Sequence, residues 1–146
     1  MSVGPHSTTP TPHPALGIDH GEARIGIAAT DDFGILAHPV ETIDCAAGDP
    51  VERIAKLVEI RGIRTLVVGL PLRMDGSEGD SARRVRGFAA KLRERLPTTP
   101  LVFIDESFTT TSAAAKLHEA GRNARKQKAV IDQAAAVEIL NAWMGA

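Results

Sequence analysis

A single cysteine, Cys45, leaves no partner for an intramolecular disulfide, and no Cys/Cys or Cys/His pair stands at zinc-ligand spacing. Disulfide and zinc staples are therefore excluded, and a reducing cytoplasmic setting is the expectation. No apolar run approaches the roughly 20 residues that a bilayer-crossing helix needs. The first 14 residues, MSVGPHSTTPTPHP, lack both a side-chain cation and an apolar stretch, so they do not read as a secretory signal. Rich in Pro, Ser and Thr, residues 1–14 are expected to form a disordered tail ahead of one domain over 15–146. The five histidines, His6, His13, His20, His38 and His118, show no ligand spacing. Net charge is scarce as well, at −1, which argues neither for nor against a polyanionic partner.

What is present is enough for one packed domain. The chain has 146 residues, 43% of them hydrophobic, a size that buries a core without covalent staples. Its charge is unevenly spread. Residues 15–62 balance to −5 and residues 63–146 to +4. Two stretches concentrate the bases: RRVRGFAAKLRER at 83–95 and KLHEAGRNARKQK at 116–128. Such faces can steer a phosphate backbone, although solvated helix faces look the same in sequence.

Apolar periodicity divides the chain. Residues 15–19 and 24–30 alternate as two strands around the turn HGEA, and 34–43 forms a third, with Pro39 marking an edge strand. Asp49-Pro50 is an N-cap followed by proline at the first helical position, and Gly62 ends that helix. TLVVG at 65–69 reads as a strand buried on both faces, followed by a helix over 81–96 and a fifth strand, LVFI, at 101–104. A short helix at 112–120 and a last one over 128–143 complete the pattern. The expected class is α/β: an antiparallel three-strand meander plus two parallel strands in one mixed sheet, flanked by helices.

Three carboxylates stand where chemistry could occur. Asp19 and Glu106 each follow an apolar strand, so both can lie at one end of the sheet. Asp132 lies in register with Ala136, Ile139, Leu140 and Trp143, the apolar face of the last helix, so it points toward the sheet. Converging carboxylates repel and take up protons unless a divalent cation sits between them. Hard oxygen donors suit Mg²⁺ or Mn²⁺, and a pair of such ions suits phosphodiester hydrolysis. The alternatives are ordinary ones, a solvated strand tip for Asp19 and a helix-dipole acid for Asp132. The loop GLPLRMDGSEGDSARR at 69–84 carries Arg73 at the carboxyl end of a strand, where a flexible substrate-contacting segment is expected. Thr109 and Thr110 stand beside a helix start, as N-caps or anion contacts.

GIDHGEARIGIA, VVGLPLRMDGSEG, DESFTTTSA and KAVIDQAAAVEIL occur in this order, and with them the chain resembles the YqgF/RuvX family of Holliday junction resolvases, also described as pre-16S ribosomal RNA nucleases. The resemblance spans residues 15–144. It implies an RNase H-like fold and Mg²⁺- or Mn²⁺-dependent endonuclease chemistry on structured DNA or RNA. It places the family's three metal-binding carboxylates on Asp19, Glu106 and Asp132, with Asp105 in support. Family members often read Asp-Glu-Arg where this chain has Asp105-Glu106-Ser107, so a basic group beside the site is missing here. Arg73, Arg83, Arg84, Arg86, Lys116, Arg122, Arg125, Lys126 and Lys128 are the cations expected to hold the nucleic-acid backbone. Symmetric cleavage of a four-way junction would need two active sites and hence a homodimer. Two other classes share these features: a noncatalytic nucleic-acid-binding or ribosome-assembly factor, and an actin-like phosphotransferase whose first hairpin also reads D-x-G. The second needs two such domains around a nucleotide.

Overall fold

Two short apolar runs separated by a tight turn open the fold: β1 (Ala15–His20) pairs antiparallel with β2 (Arg24–Thr30), and the Gly21 N–H closes the turn on the Arg24 carbonyl at 2.9 Å. The computed structural model describes residues 11–106 and 124–145, with the side chains of 124–129 excepted. β3 (Ala37–Asp44) adds to the free edge of β2, with a register shift between Ile27 and Ala28, opposite Pro39. The missing N–H of that proline is tolerated because β3 is an edge strand.

Helix α1 (Pro50–Arg61) is capped by Asp49, whose side chain accepts from Val51 and Glu52 N–H, and ends at Gly62 in the left-handed conformation, φ 63°. It returns the chain to β4 (Thr65–Leu70), which is parallel to β1, and α2 (Asp80–Arg95) returns it again to β5 (Leu101–Asp105), parallel to β4. The sheet order is β3-β2-β1-β4-β5, the mixed arrangement expected from the pattern. A last helix, α3 (Ala124–Gly145), crosses the opposite face. It is longer than the expected 128–143, and the expected helix at 112–120 lies outside the described residues.

The two faces of the sheet are built differently. On one, Leu16, Ile18, Ile25, Ile27, Leu66 and Val68 pack on α1 and α2 through Ile54, Leu57, Val85, Phe88 and Leu92. On the other, α3 lies almost on the strand backbones through Ala136, Ile139 and Leu140. Small residues make that approach possible. A Cβ on Gly17 would stand 2.6 Å from Leu140 Cγ, one on Gly69 2.5 Å from Ile139 Cδ1, and one on Gly26 1.9 Å from the Asp132 carbonyl oxygen. The amide of Gln133, next in sequence, donates to Thr42 Oγ1 at 3.0 Å and ties the helix across to β3.

Residues 11–14, the end of the expected tail, lie against the domain. The Thr65 hydroxyl donates to the Pro12 carbonyl at 2.8 Å, Arg64 N–H to the Pro14 carbonyl at 2.8 Å, and the His13 ring stacks at 5.1 Å on Trp143. Polar composition hid these contacts, which use main-chain groups and one imidazole. Residues 1–10 are outside the described part. None of the described helices is long and apolar enough to cross a membrane.

Candidate active site

β1, β4 and β5 run in one direction, so their carboxyl ends share one edge of the sheet, where Asp19, Gly69 and Glu106 fall side by side. Side-chain alternation sets the faces. Gly17 meets α3, so Asp19 two residues on faces α3 as well. Phe103 packs with the α1/α2 core, which puts Asp105 on that side and Glu106 on the α3 side. Gly69 lies between the two acids in the intervening strand. With no side chain there, the Glu106 carboxyl carbon settles 3.1 Å from the place a Cβ would occupy, and the Glu106 and Asp19 carboxyl groups hydrogen-bond to each other over β4.

That contact is electrostatically unfavourable unless something positive is shared. Glu106 is only 8% exposed. Burial, the hydrogen bond to Asp19 and the negative charges of Asp19 and Asp105 together push its carboxyl up to about 9. At neutral pH Glu106 therefore holds a proton and donates it to Asp19. A pair of carboxyl groups that retains a proton in this way is a hard-oxygen site short of one positive charge. These features fit a divalent metal ion.

The third expected ligand is close but engaged elsewhere. Asp132 lies on α3 directly over Gly26, which is the register partner of Asp19. Its carboxylate Oδ2 accepts from Arg24 Nε at 2.9 Å. The inward direction of Asp132 expected from the helix stripe is thus present, yet the structure brings together Asp19 and Glu106 and directs Asp132 to a guanidinium. Among the described residues no group of three or more His, Cys, Asp or Glu side chains stands in metal-holding proximity.

Residue by residue, the expected cations are more occupied than sequence suggested. Arg83 pairs with Asp80; Arg84 pairs with Glu22 at 3.0 Å; Arg86 makes two 2.6 Å bonds to Glu78 and lies 4.9 Å over the Phe103 ring. Arg73 folds back over Gly79, its Nε 2.7 Å from where a Cβ would stand. The loop that carries it is a hydrogen-bonded turn rather than the flexible segment expected. Leu72 bridges Glu78, Arg73 N–H meets the Ser77 carbonyl at 2.8 Å, and Asp75 accepts from Ser77 N–H and hydroxyl. Arg125, Lys126 and Lys128 lie in the first turns of α3 as described, without described side chains. Lys116, Arg122, Thr109 and Thr110 lie outside the described residues. His20, at the end of β1, stacks 4.7 Å from Phe88, and burial holds its imidazole below the ordinary value despite the Asp19 charge next to it.

Three residues of this site escaped the sequence reading. Gly69 and Gly26 are glycines inside apolar strands, a pattern that marks close approach of another backbone or a ligand. Arg24 is the one charge in β2, at the head of the apolar run IGIAA, which is a signal that it is held by a partner.

The family model described as "RuvX: Holliday junction resolvase" matches residues 13–146. A protein of Mycobacteroides abscessus named "Putative pre-16S rRNA nuclease" is 48% identical over 131 residues, spanning 88% of this chain and 79% of its own length. One of the same name from Cutibacterium acnes is 50% identical over 125 residues, spanning 86% and 78%. Among solved structures, T. thermophilus RuvC in complex with Holliday junction substrate superposes with a TM-score of 0.53 at 13% identity, covering 90% of this chain and 93% of that one. The yeast mitochondrial Holliday junction resolvase Ydc2 superposes with a TM-score of 0.57 at 13% identity, covering 94% and 80%. The two superpositions speak for the fold alone, which is RNase H-like.

Proposed function

The chain belongs to the RuvX family of Holliday junction resolvases, and from that premise we propose that it is a Mg²⁺- or Mn²⁺-dependent endonuclease. It hydrolyses phosphodiester bonds in structured nucleic acid in the cytoplasm, with precursor ribosomal RNA and four-way DNA junctions as the substrates to distinguish. One observation carries the reading: two acidic side chains, one from β1 and one just past β5, are hydrogen-bonded to each other over a glycine.

Asp19 and Glu106 would hold the first ion, and Asp132, once turned from Arg24, a second. Divalent ions at such a place polarise the phosphodiester and favour deprotonation of an attacking water. The protein's own part is positional. β1 and β5 fix the two carboxyl groups at the carboxyl edge of the sheet, where open α/β sheets bind their ligands. α3 seats the Asp132 main chain over Gly26, the register partner of Asp19. Arg73, Arg84 and Arg86 stand at the same edge, on the loop after β4 and the start of α2, and Arg84 and Arg86 can exchange their exposed carboxylate partners for phosphates at little cost. If both strands of a four-way junction are to be cut, two copies of the chain must act together.

A noncatalytic nucleic-acid-binding or ribosome-assembly factor is the competing reading, and it draws on the Arg24–Asp132 pair, which leaves only two of the three acids together. Cleavage of junction DNA and precursor rRNA, side by side in Mg²⁺ and in Mn²⁺, separates the two. The nuclease reading expects metal-dependent cleavage of at least one substrate, abolished in Asp19→Asn while binding persists. Binding without cleavage in either metal would favour the noncatalytic factor.

A further inference from the structure

We propose that Arg24 is a positioning residue that gates the metal site, holding the Asp132 carboxylate away from Asp19 and Glu106 until divalent cations take its place. This rests on the nuclease reading above. The geometry behind it is local. Arg24 and Gly26 lie two residues apart on β2 and so share the face that meets α3. Gly26 is paired with Asp19, and the Asp132 Cα lies 3.0 Å from where a Gly26 Cβ would stand. Asp132 is therefore rooted above the β1–β2 pair, about one strand spacing from Asp19. Turned toward the hairpin end, its carboxylate meets Arg24 Nε at 2.9 Å; turned across the strands toward β1, it would approach Asp19.

Charge decides between the two positions. Two acidic side chains already meet over Gly69, so a third carboxylate joining them without a cation meets repulsion. Arg24 offers the opposite charge one step along the same strand. The ion pair therefore persists until a competitor of higher charge enters. Divalent ions reverse the preference. The protein with Asp132 on Arg24 is then the metal-free form, and apparent metal affinity is lowered by the fraction of molecules in it. The partial exposure of Arg24 and Asp132 keeps this a modest, reversible hold rather than a lock.

Mn²⁺ binding measured by calorimetry on the full chain, without nucleic acid and therefore independent of activity, tests the gate. Arg24→Gln should bind Mn²⁺ roughly three- to tenfold more tightly than wild type, the range that an exposed ion pair can supply. Arg24→Lys keeps the charge and should stay near the wild-type affinity. In an Asp132→Asn background most of the Arg24→Gln gain should disappear, because the gate acts through that carboxylate. Equal or weaker Mn²⁺ binding by Arg24→Gln, with wild type binding normally, overturns the gate and leaves the nuclease reading standing. Absence of Mn²⁺ binding in wild type and Arg24→Gln alike overturns both.

Discussion

Gly69 and Glu106 are in contact across neighbouring strands: the carboxyl carbon of the acid lies 3.1 Å from the point where the glycine's Cβ would be. The site exists because one side chain is missing. β4 runs between the two strands that carry the acids, and any larger residue at 69 would stand between them.

Gly69→Ala should therefore separate stability from metal binding. The new methyl meets Ile139 Cδ1 at 2.5 Å as well as Glu106, so the protein should lose about 1–3 kcal/mol to overpacking. Chemical denaturation measures that loss. Mn²⁺ affinity, measured on the folded fraction, should fall by more than the same variant's stability alone would explain.

Gly26→Ala should be worse for stability than Gly69→Ala. The atom in the way is not the end of a mobile side chain but the main-chain oxygen of Asp132, 1.9 Å from the new Cβ. α3 would have to lift from the sheet. Thermal melts of the two variants side by side, with Gly26→Ala the lower, check the ordering.

The pH dependence of the metal-free protein follows from Glu106. Its carboxyl sits at about 9 in the fold against an ordinary value of 4.5, so between these values the folded state binds more protons than the unfolded one. Stability from this group is greatest below about 4.5 and declines as pH rises toward 9, by at most about 1.4 kcal/mol per pH unit. Glu106→Gln removes the titration. The difference between wild type and this variant, taken by denaturation from pH 5 to pH 9 in a chelator, should grow with pH in favour of the variant. A difference independent of pH would contradict the shared proton.

Nucleic-acid binding should be sensitive to acids that never touch the substrate. Glu78 occupies Arg86 through two bonds, and Glu22 occupies Arg84. Glu78→Gln should tighten binding of junction DNA or precursor RNA up to about fivefold at low salt, the range of an exposed ion pair. The advantage should shrink as salt rises, because phosphate contacts are screened and counterion release weakens. Binding titrations at two salt concentrations measure both effects.

Local signals made much of the fold legible in sequence. Asp49-Pro50 and Gly62 bracket α1 because a side-chain cap, a proline at the first turn and a left-handed end are chemistries of single residues. Edge placement of β3 followed from Pro39 for the same reason. Alternation along β1 and β5 was enough to bring Asp19 and Glu106 to one end of the sheet, since parallel strands must share their carboxyl edge. The partner of Asp132 was not legible. Arg24 is 108 residues away in sequence, and its meeting with Asp132 depends on how closely α3 seats on Gly26. Nor could composition distinguish cations awaiting phosphate from Arg84 and Arg95, whose carboxylate partners Glu22 and Glu52 come from other elements.

Crystals grown at pH near 7.5 and soaked in Mn²⁺ offer the most direct view of the proposed metal site. Anomalous scattering should place an ion about 2.0–2.2 Å from carboxylate oxygens of both Asp19 and Glu106. If the two acids stay hydrogen-bonded to each other and the manganese lies elsewhere, the carboxylate pair is not the metal site, and the nuclease mechanism built on it fails.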